Sequence, residues 1–218
     1  MPHLQLDKIY ANEGEKIAEN VTFEAFLDAD YGESHSEWVN GNVYQMTTIE
    51  IEHANCFQFL SHLIQIFLDL NGGGRLLSRP VLMYSDKAQI ARSPDIQALL
   101  PAHLDQVKQY YVMGPSDLVI EIIAKGSQRL DRYQKFLEYE KAGVPEYWII
   151  DPIHREALFY QLDNEGMYQR QKPYENKRYY SRVLHGLWLD VTVLWQKPLP
   201  NSIMMYEMVQ DMLKKDGL

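Results

Sequence analysis

The 218 residues suffice for one compact α/β or α+β domain, and 46% hydrophobic with 23% charged residues is ordinary globular composition. A net charge of −9, from 21 basic and 30 acidic residues, argues against a surface built for bulk nucleic-acid binding, but not against a local basic groove beside metal-binding carboxylates. The single Cys56 excludes an internal disulfide and a cysteine-based zinc site, and no apolar run is long enough to span a bilayer.

The N-terminal "MPHLQLDKIYANEGEK" lacks a basic start followed by an apolar block, so no secretory signal is expected, and with one cysteine a reducing cytoplasm is the expected location. "NVTFEAFLDADYG" predicts a short helix capped by Thr22 ahead of Phe23, Phe26 and Leu27. "SEWVNGNVYQM" alternates around Asn40-Gly41, the strongest short-range hairpin signal. Apolar residues at 56, 57, 60, 63, 64, 67 and 68 then repeat at helical spacing, stopped by Gly72-Gly73-Gly74.

"GRLLSRPVLMYSD" and "AQIARSPDIQAL" read as consecutive strands, and residues 101–115 as a polar loop. "SDLVIEII" is a strand buried on both faces. Ser127 is the expected cap of the next helix, which ends near Gly143 and is expected to turn Leu130, Tyr133, Phe136 and Leu137 to the core. "EYWIID" is another buried strand, so strand, helix and strand imply a parallel crossover. "EALFYQLDNEGMYQRQ" predicts a hairpin turning at Asp163 to Gly166, "LWLDVTVLW" a late strand, and residues 202–214 a short helix. With no repeat or linker, the chain reads as a single domain over 1–218, its core at about 20–195.

The chemistry lies in the carboxylates. Glu121 stands in the middle of an apolar strand, where a charge is costly unless something pairs with it. Asp95 closes the "RSPD" stretch 121 − 95 = 26 residues earlier, and if the two strands are neighbours both side chains meet at one edge of the sheet. Two carboxylates with waters suit Mg²⁺, which tolerates few protein ligands. A lysine nearby would orient an attacking water and offset charge on a phosphodiester. The bland readings are a solvated strand end for Asp95 and, for Asp131 and Lys135, an i,i+4 surface pair opposite the helix's apolar face.

The block "PSDLVIEII…DRYQKFLEYEKAGVPEYWIIDP" resembles the Uma family of the PD-(D/E)XK nuclease superfamily. "SEWVNGNVYQM", "EHANCFQFLSHL" and "YYSRVLHGLWLDVTVLW" extend the resemblance from about residue 20 to 195. It implies an α/β, restriction-endonuclease-like fold: a mixed central β-sheet flanked by helices, with an added N-terminal hairpin and helix and C-terminal strands. It implies a Mg²⁺- or Mn²⁺-dependent endonuclease acting on DNA. Asp95 takes the place of the first metal-binding aspartate and Glu121 that of the second acid. The superfamily's commonest lysine position is isoleucine here, Ile123, and Lys135 matches the family's alternative on the following helix. Glu37 matches an N-terminal acid that assists the metal, and Asp117 an aspartate about 13 Å along the strand from Glu121 in a supporting role. Where the family carries a Ser-Pro-Ser-like run, this chain has "AKGS", which makes Lys125 a rival lysine. Superfamily members that cut both strands often act as dimers, which leaves a homodimer open.

Other candidates carry less. His53 and His62, nine apart, do not fall on neighbouring helical turns, and no zinc spacing such as H-E-x-x-H occurs. Gly72 to Gly74 follows a helix rather than opening one, and Cys56 reads as inert packing. Two alternatives stand beside the nuclease: a non-catalytic nucleic-acid-binding or assembly protein that keeps the fold, and a metal-independent two-carboxylate hydrolase that leaves Lys135 idle.

Overall fold

The structure is a computed structural model and describes residues 15–31, 36–45, 50–124 and 130–214. It begins with β1 (Glu15–Ala18) and the helix α1 (Phe23–Asp28), capped as expected: the Thr22 hydroxyl accepts from the Ala25 N–H at 3.1 Å. β2 (Ser36–Val39) and β3 (Asn42–Gln45) form the expected hairpin. Asn40 and Gly41 sit at φ 47° and 80°, the left-handed pair that matches strand twist. α2 (Ile51–Leu70) buries the expected stripe from Cys56 to Leu68 except Phe57, which is half-buried, and adds His53 and Phe59. After it Gly74 lies at φ 130°, where an added Cβ would come within 2.7 Å of the Leu99 carbonyl oxygen.

The two strands expected next are four: β4 (Arg75–Ser78), β5 (Leu82–Ser85), β6 (Ile90–Arg92) and β7 (Ile96–Leu99). Pro80 and Pro94 interrupt them, because neither can donate to a ladder. Residues 101–115, expected as loop, hold a 3-10 turn at Pro101–Gln106 and β8 (Tyr111–Met113), which pairs parallel to β5. β9 (Leu118–Ile122) and β10 (Glu146–Asp151) are parallel neighbours joined through a π-helical turn at Leu130–Gln134 and α3 (Lys135–Ala142). The helix stops at Gly143, whose φ of 91° lets its N–H return to the Tyr139 carbonyl at 3.0 Å.

β11 (Glu156–Leu162) and β12 (Tyr168–Gln171) form the expected hairpin. β13 (Arg178–Tyr180) and β14 (Trp188–Asp190) pair with each other, and α4 (Ser202–Lys214) packs on α2. The late strand is shorter than its alternation suggests. Asp190 accepts from the backbone N–H and hydroxyl of Thr192 at 2.9 and 2.6 Å, a local turn that diverts the chain into a 3-10 turn at Val193–Trp195.

The fold is mixed α/β, as expected, and among the described residues its strands form two six-stranded sheets and the separate β13–β14 pair. The first runs β1-β3-β2-β6-β5-β8 and the second β12-β11-β10-β9-β7-β4. Along β9 the faces alternate. Leu118, Ile120 and Ile122 pack with α2 and α4, while Val119 and Ile123 join Tyr139, Tyr147 and residues of the first sheet such as Met83 and Ile90. The chain passes between the sheets near Arg79-Pro80, Ser93-Pro94-Asp95 and Gly114-Pro115-Ser116. Among the described residues no helix is long and apolar enough to cross a membrane.

Candidate active site

Glu121 is 2% exposed, on the face of β9 that looks toward α3. Lys135, itself 4% exposed, brings Nζ to 3.0 Å from Glu121 Oε1, and the Tyr139 hydroxyl donates to the same oxygen at 2.6 Å. Residues 135 and 139 are one turn apart on α3, so one helix face delivers both donors. Burial first, then the Glu121 charge, pushes the Tyr139 phenol well above its ordinary range, so it stays a donor.

This corrects the predicted orientation of the helix. Tyr133 and Leu137, expected in the core, are 68% and 61% exposed, and the buried positions of α3 are Lys135, Tyr139 and Ala142. The inward face is the one whose Lys135 and Tyr139 meet the buried Glu121 carboxylate, and a π-helical turn at Leu130–Gln134 precedes it. Lys135 is therefore not a surface residue, since its ammonium lies in the interior against Glu121.

Asp95 is 1% exposed and stands where the chain enters the second sheet. β7 and β9 are antiparallel, with Ile96 opposite Ile120, so the next step of the register sets Asp95 opposite Glu121. Asp95 Oδ2 accepts the Ile122 N–H at 2.7 Å, which pins it beside the residue following Glu121. The two carboxylates thus belong to adjoining positions at one rim of the sheet. Asp95 also meets Arg79 through its guanidinium and His53 Nε2 at 3.2 Å, and Arg79 Nη2 lies 3.1 Å from the same His53 nitrogen. Arg79 stands at another crossing between the sheets and His53 on the first turn of α2, which is why no local sequence signal joins them to Asp95.

Glu37, fully buried on β2, pairs with Arg92 Nη1 at 2.7 Å and accepts the Ser93 N–H at 3.0 Å. Arg92 in turn makes two bonds to Glu138 on α3, at 2.8 and 3.0 Å. This chain of charges ties the first sheet to the helix that carries Lys135. Asp117 accepts from the Leu100 N–H at 2.8 Å and meets His103 Nδ1 at 2.8 Å, fastening the 3-10 turn at the other end of β9. Lys125 and Ser127 lie outside the described residues, as does the side chain of Asp131.

Two further buried carboxylates were missed. Glu146 carried the same signal as Glu121, an acid in an apolar strand. It accepts from Trp148, Tyr179, Ser181 and the N–H groups of Arg182 and Val183 at 2.7–3.2 Å, which makes it an anchor for the segment before β14. Burial raises its pKa against the lowering effect of those bonds. Asp151, closing β10, meets Arg132 at 2.9 Å and both the N–H and ring of His154 at 2.9 Å. Burial works to raise its pKa, but the bonds from His154 and Arg132 outweigh it and hold the carboxyl below its ordinary value. Among the described residues, no three or more His, Cys, Asp or Glu side chains converge as a ready metal cage. The donor set at the rim is two hard carboxylates, which suits a cation that keeps most of its water.

The comparisons bear on this geometry. A family model, Uma2, described as "Putative restriction endonuclease", matches residues 22–192. A solved structure from Anabaena variabilis ATCC 29413, titled a "putative nuclease belonging to DUF820", superposes with a TM-score of 0.68 at 16% identity, covering 80% of this chain and 97% of that one. At that identity the likeness establishes the fold, which is restriction-endonuclease-like. No curated protein matches the chain.

Proposed function

The chain belongs to the Uma2 family, and from that premise we propose that it is a divalent-metal-dependent endonuclease that hydrolyses DNA phosphodiester bonds. The reading is carried by one observation: a glutamate central in an apolar strand, 2% exposed, held by a buried lysine at 3.0 Å. Retaining two buried charges costs more than an apolar pair of similar volume, so a role beyond stability is the economical account.

Asp95 and Glu121 would hold Mg²⁺ or Mn²⁺, supported by their adjoining positions across the β7–β9 ladder. Such a cation supplies charge neutralisation for the phosphodiester and lowers the pKa of a bound water. The remaining work belongs to the chain. Tyr139 fixes the orientation of the Glu121 carboxyl. Lys135 on its four-carbon stem orients the attacking water and offsets charge on a phosphate oxygen. Glu37 assists at one remove, through Arg92 and Glu138, by holding α3 in place.

Supercoiled plasmid DNA incubated with Mg²⁺ or Mn²⁺ tests the proposal. Cleavage should require the cation and vanish in Asp95→Ala, Glu121→Ala and Lys135→Ala. A second reading, a nucleic-acid-binding protein without turnover, is favoured by Arg79, whose guanidinium already rests on the Asp95 carboxylate. Binding without cleavage across supercoiled, linear and single-stranded DNA would select it.

A further inference from the structure

A cavity of about 480 Å³ opens between the first half of α2, the turn after β10 and residues 194–205. That size falls in the range of small-ligand sites, commonly about 300–1,000 Å³. Its walls combine two chemistries. Phe59, Trp195 and Leu199 give flat apolar surface, while Arg155 and Lys197 bring cations and Gln58 an amide. Lys197 is committed to Glu52 at 3.4 Å. Arg155 makes no ion pair among the described residues, which in a chain of net charge −9 leaves a guanidinium available at the cavity.

The cavity draws on two elements, α2 and the turn after β10, that also border the strands of Asp95 and Glu121. Its residues Glu52 and Cys56 flank His53, whose Nε2 is 3.2 Å from Asp95. Pro152 and Arg155 follow directly on β10, whose Ile150 pairs with Ile122 beside Glu121. An aromatic platform, an amide edge and a guanidinium together match a planar heterocycle carrying a phosphate. We propose that this cavity takes a single unstacked nucleotide of a bound DNA strand, its base against Trp195 and its phosphate on Arg155. The ligand class rests on the nuclease reading, whereas the cavity itself does not.

The protein reports on this site without a label. Trp38, Trp148 and Trp188 are 5%, 1% and 8% exposed, so Trp195 is the one tryptophan of four with appreciable exposure. Titrating the full chain with 2′-deoxyguanosine 5′-monophosphate should quench its emission saturably. Calorimetry should give the same affinity, and a short single-stranded oligodeoxynucleotide should displace the mononucleotide. Arg155→Gln should weaken the monophosphate about tenfold and leave deoxyguanosine unchanged, the loss of one charge-assisted contact. Trp195→Ala should weaken both about fivefold or more, as stacking platforms do.

No saturable quench or heat, an equal affinity for inorganic phosphate, failure of the oligonucleotide to displace, or indifference to both substitutions would overturn the proposal. Glu121→Ala separates the two readings, because it should abolish cleavage and leave nucleotide binding intact. Wild-type cleavage without nucleotide binding removes the cavity proposal alone. Nucleotide binding with no cleavage by the wild type removes the endonuclease alone.

Discussion

Lys135 and Glu121 form a buried ion pair, Nζ to Oε1 at 3.0 Å, between the first residue of a helix and the fourth of a strand. Removing one partner strands the other charge in the interior. Lys135→Met should therefore cost about 3–5 kcal/mol, and a Lys135→Met, Glu121→Gln double variant should recover most of it. Urea unfolding of the four proteins gives the coupling. A coupling below about 0.5 kcal/mol would mean that the two side chains are not paired in solution.

The two candidate lysines are distinguishable by activity. Lys135→Ala should lower metal-dependent DNA cleavage about 10²- to 10³-fold, the usual effect of removing one preorganised electrostatic group. Lys125→Ala should stay within a few-fold of wild type. The opposite ranking would move the catalytic lysine to the strand end and leave Lys135 a structural partner of Glu121.

Alkaline stability should depend on Tyr139. Its folded pKa is raised, by burial first and by Glu121 next, above the value of 10.0 that governs the unfolded chain. Above pH 10 the unfolded state therefore binds fewer protons than the folded one, and stability falls as pH rises toward the folded value. Tyr139→Phe should flatten that decline, although it costs about 1.5–3 kcal/mol at neutral pH through the lost bond to a charged acceptor. Urea midpoints between pH 8 and 11 give both quantities. Equal slopes in the two proteins would show that the phenol does not contribute.

Acid stability should depend on Asp151. With a folded pKa below its unfolded 3.8, it contributes stability that is present above that value and lost as pH falls through the folded one. Arg132→Ala removes one of the groups holding the carboxyl down and should shift the acid unfolding midpoint upward. A carbon-detected titration of Asp151 should show its pKa rise in the variant, and an unmoved pKa would assign the depression to His154 alone.

Local chemistry was the legible part of the chain. Thr22, Asn40-Gly41, the α2 stripe and Gly143 act within a few residues, and the structure has each where the sequence puts it. The acid in β9 was also legible, since its cost is visible from its apolar neighbours. The facing of α3 was not, because the group that draws Lys135 and Tyr139 inward, the Glu121 carboxylate, stands on another element. Arg79, His53 and Arg92 were invisible for another reason. Each meets its carboxylate across 16 to 55 residues, Arg79 and His53 where the chain crosses between the sheets and Arg92 across the β2–β6 pairing, and nothing in a single strand's pattern encodes which strands will adjoin.

The passage of the chain between the sheets makes the placement of the site residues depend on both of them. Asp95 and Glu121 come together as soon as β7 pairs with β9, within one sheet. Glu138, one turn from Lys135 on α3, bonds Arg92 of the other sheet, which is held in turn by Glu37. A half-folded chain with only the second sheet would bring its acids together while the helix bearing the lysine lacked this brace. Docking of α3 through Arg92 would therefore need both sheets in place, whereas the pairing of β7 with β9 needs one.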